Sequence, residues 1–153
     1  MEQALGGMGG RAADHPVMRL AEAVNAHAGL VRRGERIDTT MLLEYGDTPF
    51  LVQIRRGRVD AVTRGPFVMP SWDFALRASA AEWDAHWQAV PAPGHHDLMA
   101  MIKRRTLRLE GDTTPFMRNL FYFKAVLASL RPGGSLDSVA PLPVAPDAPG
   151  ARR

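Results

Sequence analysis

The sequence predicts an α+β domain in which helices pack on a five-stranded, largely antiparallel sheet. Three observations support this class. Apolar residues recur at helical spacing between Leu20 and Val31, apolar and polar residues alternate with a period of two between residues 38 and 64, and a nearly all-apolar stretch follows Pro115. With 153 residues, 46% of them hydrophobic and 23% charged, the chain suits one soluble domain.

The first helix is predicted to begin after Asp14, whose carboxylate can cap it, and to end at Gly34. We expect one continuous helix, because its apolar residues follow one another at spacings of four, four and three. These residues are Leu20, Val24, Ala28 and Val31.

The alternating segment 38–64 predicts a three-stranded meander, since turn-forming residues interrupt it at 46–49 and at 56–57. Further strands are expected at 72–78 and 106–110, where apolar side chains again alternate with polar ones. The sheet therefore has five predicted strands.

Two helices are predicted between the last two strands. Ser79 and Glu82 have the spacing of a capping box, which starts a helix that runs to about Gln88. The second, shorter helix carries Leu98, Met99 and Ile102.

The last helix is predicted from Pro115, which suits a first helical position, to about Leu130. It is apolar on nearly all sides, whereas a surface helix needs one apolar stripe. Two interpretations remain open: the helix is central to the core, or one of its faces lines a cavity that an apolar molecule fills.

Both ends of the chain are predicted to be unfolded. Residues 1–13 are rich in glycine and poor in large apolar side chains, and residues 132–153 are rich in proline and glycine. The predicted organisation is a flexible arm at 1–13, a folded domain at 14–131 and a disordered tail at 132–153.

Charge and composition exclude several classes. The net charge of +3 comes from 19 basic and 16 acidic residues, and no nucleic-acid-binding motif accompanies the basic clusters, so no nucleic-acid partner is expected. The absence of cysteine excludes disulfides, thiolate nucleophiles and thiolate metal sites. No apolar run is long enough to span a bilayer and no signal-peptide pattern opens the chain, so we expect a cytoplasmic protein.

No catalytic, cofactor or metal site is predicted. His95, His96 and Asp97 are consecutive, and adjacent helical side chains point about 100° apart, which is unfavourable for a shared metal ion. Were the protein an enzyme, its titratable groups inside a pocket would have to come from Asp73, His86 and Tyr122.

Three segments resemble parts of a known family. Residues 50–59 are similar to its second and third strands around a glycine turn, and residues 72–79 to its fourth strand. Residues 98–112 are similar to its short helix, basic residues, last strand and Gly-Asp pair before the final helix. Over residues 17–130 the chain thereby resembles the sterol carrier protein type 2 domain family, as a stand-alone bacterial member.

This resemblance implies an apolar tunnel between sheet and helices that binds a sterol, a fatty acid or a fatty acyl-CoA. The residues expected to line it are Met69, Trp83, Trp87, Leu98, Met99, Ile102, Phe116, Leu120 and Phe123. The residues expected to meet a polar head group are Lys103, Arg104 and Arg105.

The expected function is the binding, shielding or transfer of an apolar small molecule, with transient contacts to a membrane or an enzyme. One alternative is an accessory or catalytic subunit in lipid or aromatic metabolism that uses the same pocket. The other is a protein-interaction domain whose pocket is collapsed. The sequence does not decide the oligomeric state.

Overall fold

The computed structural model describes residues 15–134, so the predicted arm and all but the first three residues of the predicted tail lie outside it. The strands are β1 Asp38–Tyr45, β2 Thr48–Arg55, β3 Arg58–Arg64, β4 Phe74–Ala78 and β5 Leu107–Gly111. The α-helices are α1 Leu20–Asn25, α2 Ala28–Arg33, α3 Ala80–His86, α4 Leu98–Lys103, α5 Thr114–Arg118 and α6 Leu120–Ala128. Short 3-10 helices at Pro16–Arg19 and Pro132–Gly134 flank this set.

The sheet of the described residues has five strands in the order β3-β2-β1-β4-β5. β1 and β4 are parallel, and the other three pairs are antiparallel, which confirms the predicted largely antiparallel sheet. Because side chains alternate between the faces of a strand, one face collects the apolar residues. This face, which contacts α5 and α6 through Phe74, includes the buried Met41, Leu43, Phe74, Leu76 and Leu107.

The opposite face of the sheet carries charged side chains. The Arg77 guanidinium lies 3.0 Å from a carboxylate oxygen of Glu44 and 2.8 Å from one of Glu110. The Trp72 ring lies 5.7 Å from the same guanidinium. These cross-strand pairs join β1, β4 and β5 on the face away from the core.

The first helical region is divided, so the prediction of one continuous helix was wrong. α1 ends at Asn25, and His27 is extended before α2 begins. The Asn25 side chain donates to the backbone oxygen of Val59 at 3.0 Å and accepts from its backbone nitrogen at 2.9 Å. This pairing with an edge strand fixes the end of α1, a tertiary interaction that local helical spacing does not reveal.

The last helical region is also divided. α5 ends at Arg118, and Asn119 leaves the helical conformation before α6 begins. The Asn119 side-chain nitrogen donates to the backbone oxygen of Pro115 at 2.9 Å, and the Asn119 backbone nitrogen donates to the same oxygen at 3.3 Å. α6 is central to the core: Tyr122, Phe123 and residues 125–128 are all buried.

Two glycines allow α2, the β2–β3 turn and α6 to meet. A Cβ at Gly34 would lie 2.8 Å from Cδ1 of Tyr122 and 2.9 Å from Cα of Gly57. Gly57 has φ +82°, and a Cβ there would contact the Val31 oxygen and lie 2.7 Å from the carbonyl carbon of Gly34. The Tyr122 hydroxyl then donates to the Gly57 oxygen at 2.7 Å. A side chain at either glycine would separate these elements.

We expect Gly57→Ala to lower the free energy of unfolding by about 2–4 kcal/mol. The alanine would be held in a left-handed conformation, and its Cβ would overlap neighbouring backbone atoms. Urea denaturation measures this. The matched control is Gly29→Ala, since a Cβ at Gly29 meets nothing within 4 Å. That helical substitution should be neutral or stabilising by up to about 1 kcal/mol. Equal stability losses in the two variants would contradict the packing described.

Candidate functional site

Most of the predicted tunnel residues lie together between the sheet and the helices. Trp83, Leu98, Phe116 and Phe123 are fully buried, and Trp87 is nearly so. Phe74 completes the cluster: its ring centroid lies 5.6 Å from that of Phe116 and 5.2 Å from that of Phe123. The sequence analysis did not identify Phe74 as a site residue.

The two tryptophans connect the sheet to α6. Their rings stack with centroids 5.2 Å apart. The Trp83 indole nitrogen donates to the backbone oxygen of Glu44 at 2.9 Å, and that of Trp87 donates to the backbone oxygen of Leu127 at 3.0 Å. Because both polar atoms are satisfied, this aromatic layer presents apolar ring surface to its surroundings.

Three predicted residues reach the surface. Met99, Ile102 and Leu120 are half-buried and pack against the core cluster. We call these three residues the α4–α6 rim, since they lie on α4 and at the start of α6. The rim is where the predicted tunnel lining meets both solvent and the aromatic interior.

Met69 lies apart from this cluster. It is 92% exposed in the β3–β4 connection and has φ +50°. The sequence analysis did not predict that Met69 would be exposed.

The three predicted head-group residues diverge. Lys103 is exposed, and Arg104 donates from Nη1 to the backbone oxygen of Gly94 at 2.9 Å. Arg105, at φ +66°, lines a groove of about 380 Å³ on another side. That groove carries both signs of charge, since its other lining residues include Glu44, Asp47, Arg77 and Arg108.

A buried polar cluster joins the end of α6 to the segment after α3. The Arg131 side chain, 4% exposed, donates from Nε to the backbone oxygen of His86 at 2.9 Å and from Nη2 to that of His96 at 2.8 Å. His86 Nδ1 lies 2.8 Å from the backbone oxygen of His95, so Nδ1 carries the hydrogen. The sequence analysis did not predict that Arg131 would be buried with these histidines, because an arginine before a proline is typical of the end of an ordered segment.

Arg131 also lines an open groove of about 460 Å³ between α1 and the chain that follows α6. None of the predicted tunnel residues lines this groove. Its walls include Arg19, Ala23, His27, Ser129 and Leu130.

The comparisons with known proteins give evidence about the fold of the chain. No protein-family model and no curated protein sequence matches the chain. The crystal structure of sterol carrier protein 2 matches with a TM-score of 0.57 at 12% identity, over 74% of this chain and 93% of that one. The chain has the sterol carrier protein 2 fold.

Two further structures share the sterol carrier protein 2 fold. A conserved hypothetical protein from Thermus thermophilus, described as a candidate sterol carrier protein, has a TM-score of 0.56 at 11% identity, over 80% of this chain and 91% of its own. The ubiquinone synthesis protein UbiJ-SCP2 has a TM-score of 0.50 at 14% identity, over 74% of this chain and 86% of its own.

Within this sterol carrier protein 2 fold the three candidate acid–base groups occupy separate places. Asp73 accepts from Thr39 Oγ1 at 2.7 Å and from the Thr40 backbone nitrogen at 2.9 Å, which fixes the start of β4 against β1. Tyr122 is held by the β2–β3 turn, and burial raises the pKa of its hydroxyl. His86 lies in the cluster around Arg131.

Two negative findings apply to residues 15–134. No group of three or more histidine, aspartate or glutamate side chains is arranged to hold a metal ion. In the same range, every helix is too short or too polar to cross a bilayer.

Burial lowers the pKa of His86 to about 4, and the nearby Arg131 charge acts in the same direction. As the pH falls, the His86 ring is therefore protonated in the unfolded chain, near its ordinary pKa of 6.5, before it is protonated in the folded chain. The stability that a neutral His86 contributes is present at neutral pH and is lost as the pH falls from 6.5 towards 4.

We expect the free energy of unfolding to fall by about 2 kcal/mol between pH 7 and pH 5 through His86. In His86→Gln this part of the pH dependence should be missing, although the variant is less stable at pH 7. His96→Gln is the control, because that side chain is exposed. Denaturation at several pH values measures the slopes, and parallel curves for wild type and His86→Gln would refute the assignment.

Proposed function

We propose that this chain is a non-catalytic binding protein that shields or transfers an apolar small molecule of the sterol, fatty acid or fatty acyl-CoA class. The observation that carries the proposal is the buried aromatic layer between sheet and helices in a sterol carrier protein 2 fold, against which the half-buried residues of the α4–α6 rim pack. The names of the similar structures refer to sterol and to ubiquinone, and both of these molecules are largely hydrocarbon.

The rim is the proposed entrance. Methionine adapts its shape to irregular apolar surfaces, so Met99 suits a wall that accepts different ligands. α4 has six residues, and a helix of this length depends on packing for its stability. The Lys124 ammonium lies 2.7 Å from Asp97 and holds the N-terminal end of α4 to α6. We place the proposed opening at Ile102, whose side chain is half-buried on this helix.

Affinity is expected to come from apolar area that the ligand removes from water, at about 25 cal/mol per Å². The head group would meet Lys103, Arg104 and Arg105, at the C-terminal end of α4 and just after it. The Arg104 guanidinium donates to a neutral carbonyl, and a carboxylate or phosphate oxygen makes a stronger, charge-assisted bond. Arg105 would have to leave its groove to join it.

The surroundings of the three candidate acid–base groups support the non-catalytic part of this proposal. Asp73 and Tyr122 each make short hydrogen bonds that hold elements of the fold together. His86 is buried beside a guanidinium and neutral at physiological pH. These are structural roles, so substitution should affect stability before it affects any turnover.

Ile102→Trp should weaken the binding of a fluorescent fatty acid at least about tenfold, because a larger ring occupies the proposed entrance. Ile102→Ala should bind within about threefold of wild type. Val90→Trp, which adds the same ring at a position that is 88% exposed, is the matched control. Fluorescence titration measures the affinities. If all three variants bound the fatty acid as tightly as the wild type does, the ligand would have to bind at another place.

Arg104→Glu/Arg105→Glu should weaken acyl-CoA binding by about tenfold or more, since two attractive charges become repulsive, and should change sterol binding little. Isothermal titration calorimetry with both ligands separates the head-group contribution from the apolar one. Unchanged acyl-CoA affinity would remove these arginines from the site. A wild-type protein that binds neither ligand would instead favour the protein-interaction alternative.

A further inference from the structure

The two edge strands of the sheet differ in how their main-chain groups are covered. At the β3 edge, the Asn25 side chain bonds both main-chain groups of Val59, its oxygen at 3.0 Å and its nitrogen at 2.9 Å. The pairing of β2 with β3 also shifts register between Gln53 and Ile54. A covering side chain and an irregular register are two devices that keep an edge strand from pairing with another chain.

The opposite edge strand, β5, has neither device. It pairs with β4 in one unbroken register and contains no proline. Within residues 15–134, no hydrogen bond joins the main chain of β5 to a group outside β4. An edge strand of this kind is a template on which a further strand can be added.

The uncovered main-chain groups of β5 are those of alternate residues. The Ala78 oxygen accepts from the Gly46 nitrogen at 2.9 Å, so the main-chain groups of Ala78 point towards the β1 side. Leu107 is the partner of Ala78 in the ladder, and its groups therefore point away from β4. Because successive residues of a strand alternate in this respect, the groups of Leu109 and Gly111 point the same way as those of Leu107.

The charged side chains of β5 are complementary to those of a second copy of the same strand. The Arg108 side chain is 66% exposed and that of Glu110 38% exposed, and both lie on the polar face of the sheet. If two copies run antiparallel with Leu109 opposite Leu109, each Arg108 lies opposite Glu110 of the other copy. Opposite charges in directly opposed positions stabilise a strand pair.

Other registers of the same two strands are unfavourable. A shift of two residues would place Arg108 opposite Arg108, or Glu110 opposite Glu110, and like charges in opposed positions repel. A shift of one residue would align the apolar face of one copy with the polar face of the other. The register centred on Leu109 is therefore selected by charge and by the two faces of the sheet.

The remaining side chains of β5 agree with this register. The half-buried Leu109 would meet its counterpart on the apolar face, and Leu107 would lie opposite Gly111, which has no side chain. The Arg77 Nε atom donates to Glu110 at 2.8 Å, so the carboxylate that would receive the second Arg108 is already held in position.

We propose that β5 pairs with β5 of a second copy across a two-fold axis at Leu109, which joins two five-stranded sheets into one continuous sheet. The main-chain nitrogen and oxygen of Leu109 bond to those of the other copy, and Arg108 pairs with Glu110 across the axis. This pairing goes beyond the proposed function, because it concerns the sheet edge and does not depend on an apolar ligand.

Sedimentation velocity of the full chain at several concentrations tests the pairing. We expect a reversible dimer, since β5 has five residues. Arg108→Glu and Glu110→Arg should each weaken it about tenfold or more, because opposed charges become alike. An equimolar mixture of the two variants should dimerise again, since an acidic strand then faces a basic one. Arg58→Glu is the matched control, because it makes the same change at an exposed position of the other edge strand and should leave the dimer intact.

A cysteine at the two-fold axis gives a second test that leaves the charges unchanged. The chain contains no cysteine, so oxidation of Leu109→Cys can link only this position. Residues that exchange both main-chain bonds have Cα atoms about 5.5 Å apart, which a disulfide can span. We expect a covalent dimer. Val68→Cys is the control, because this position is 94% exposed but lies in the β3–β4 connection, and it should link much more slowly.

Several results would overturn the pairing. One is a dimer that both charge variants leave intact, and another is a mixture of the variants that stays monomeric. A dimer in which Leu109→Cys links no faster than Val68→Cys would contradict the position of the axis. A wild-type chain that is monomeric at every concentration would leave this edge to a strand of a different protein.

Discussion

The burial of α6 on nearly every side is the constraint on which the rest of the structure depends. A helix that is apolar all round cannot rest on one neighbour, so several elements must cover it. Phe123 packs on Phe74 of β4, Trp87 donates to the backbone oxygen of Leu127, and the Tyr122 hydroxyl donates to the β2–β3 turn. The cover is incomplete at the first turn of α6, where Leu120 is half-buried and Phe121 is 53% exposed.

Directional bonds fix how the covering elements sit, because apolar contact alone does not select one arrangement. The buried aromatic donors Trp83, Trp87 and Tyr122 each donate to a backbone oxygen. The buried Arg131 guanidinium donates to two further backbone oxygens. In a shifted packing these buried donors would lose their acceptors, which costs free energy. α4 is held at its N-terminal end by the ion pair of Asp97 with Lys124, and just after its C-terminal end Arg104 donates to the backbone oxygen of Gly94 at 2.9 Å.

The sequence predicted what local chemistry determines. Strand alternation and turn residues located all five strands, and the order of elements indicated the fold. It missed two helix breaks: the bond of Asn25 to β3 is a tertiary contact that ends α1, and Asn119 leaves the helical conformation between α5 and α6. For the site, apolar character predicted the buried cluster, but Met69 is 92% exposed and Arg105 lines a separate groove. Nothing local indicated that Arg131 would be buried.

Native mass spectrometry of the protein purified from its natural source, followed by organic extraction, tests the central claim most directly. The account predicts a mass increment equal to one small molecule per chain, which disappears on extraction and is recovered as a sterol, a fatty acid or an acyl thioester. A chain that carries no such molecule, with an extract indistinguishable from the buffer blank, would contradict the claim that this fold serves to hold an apolar ligand.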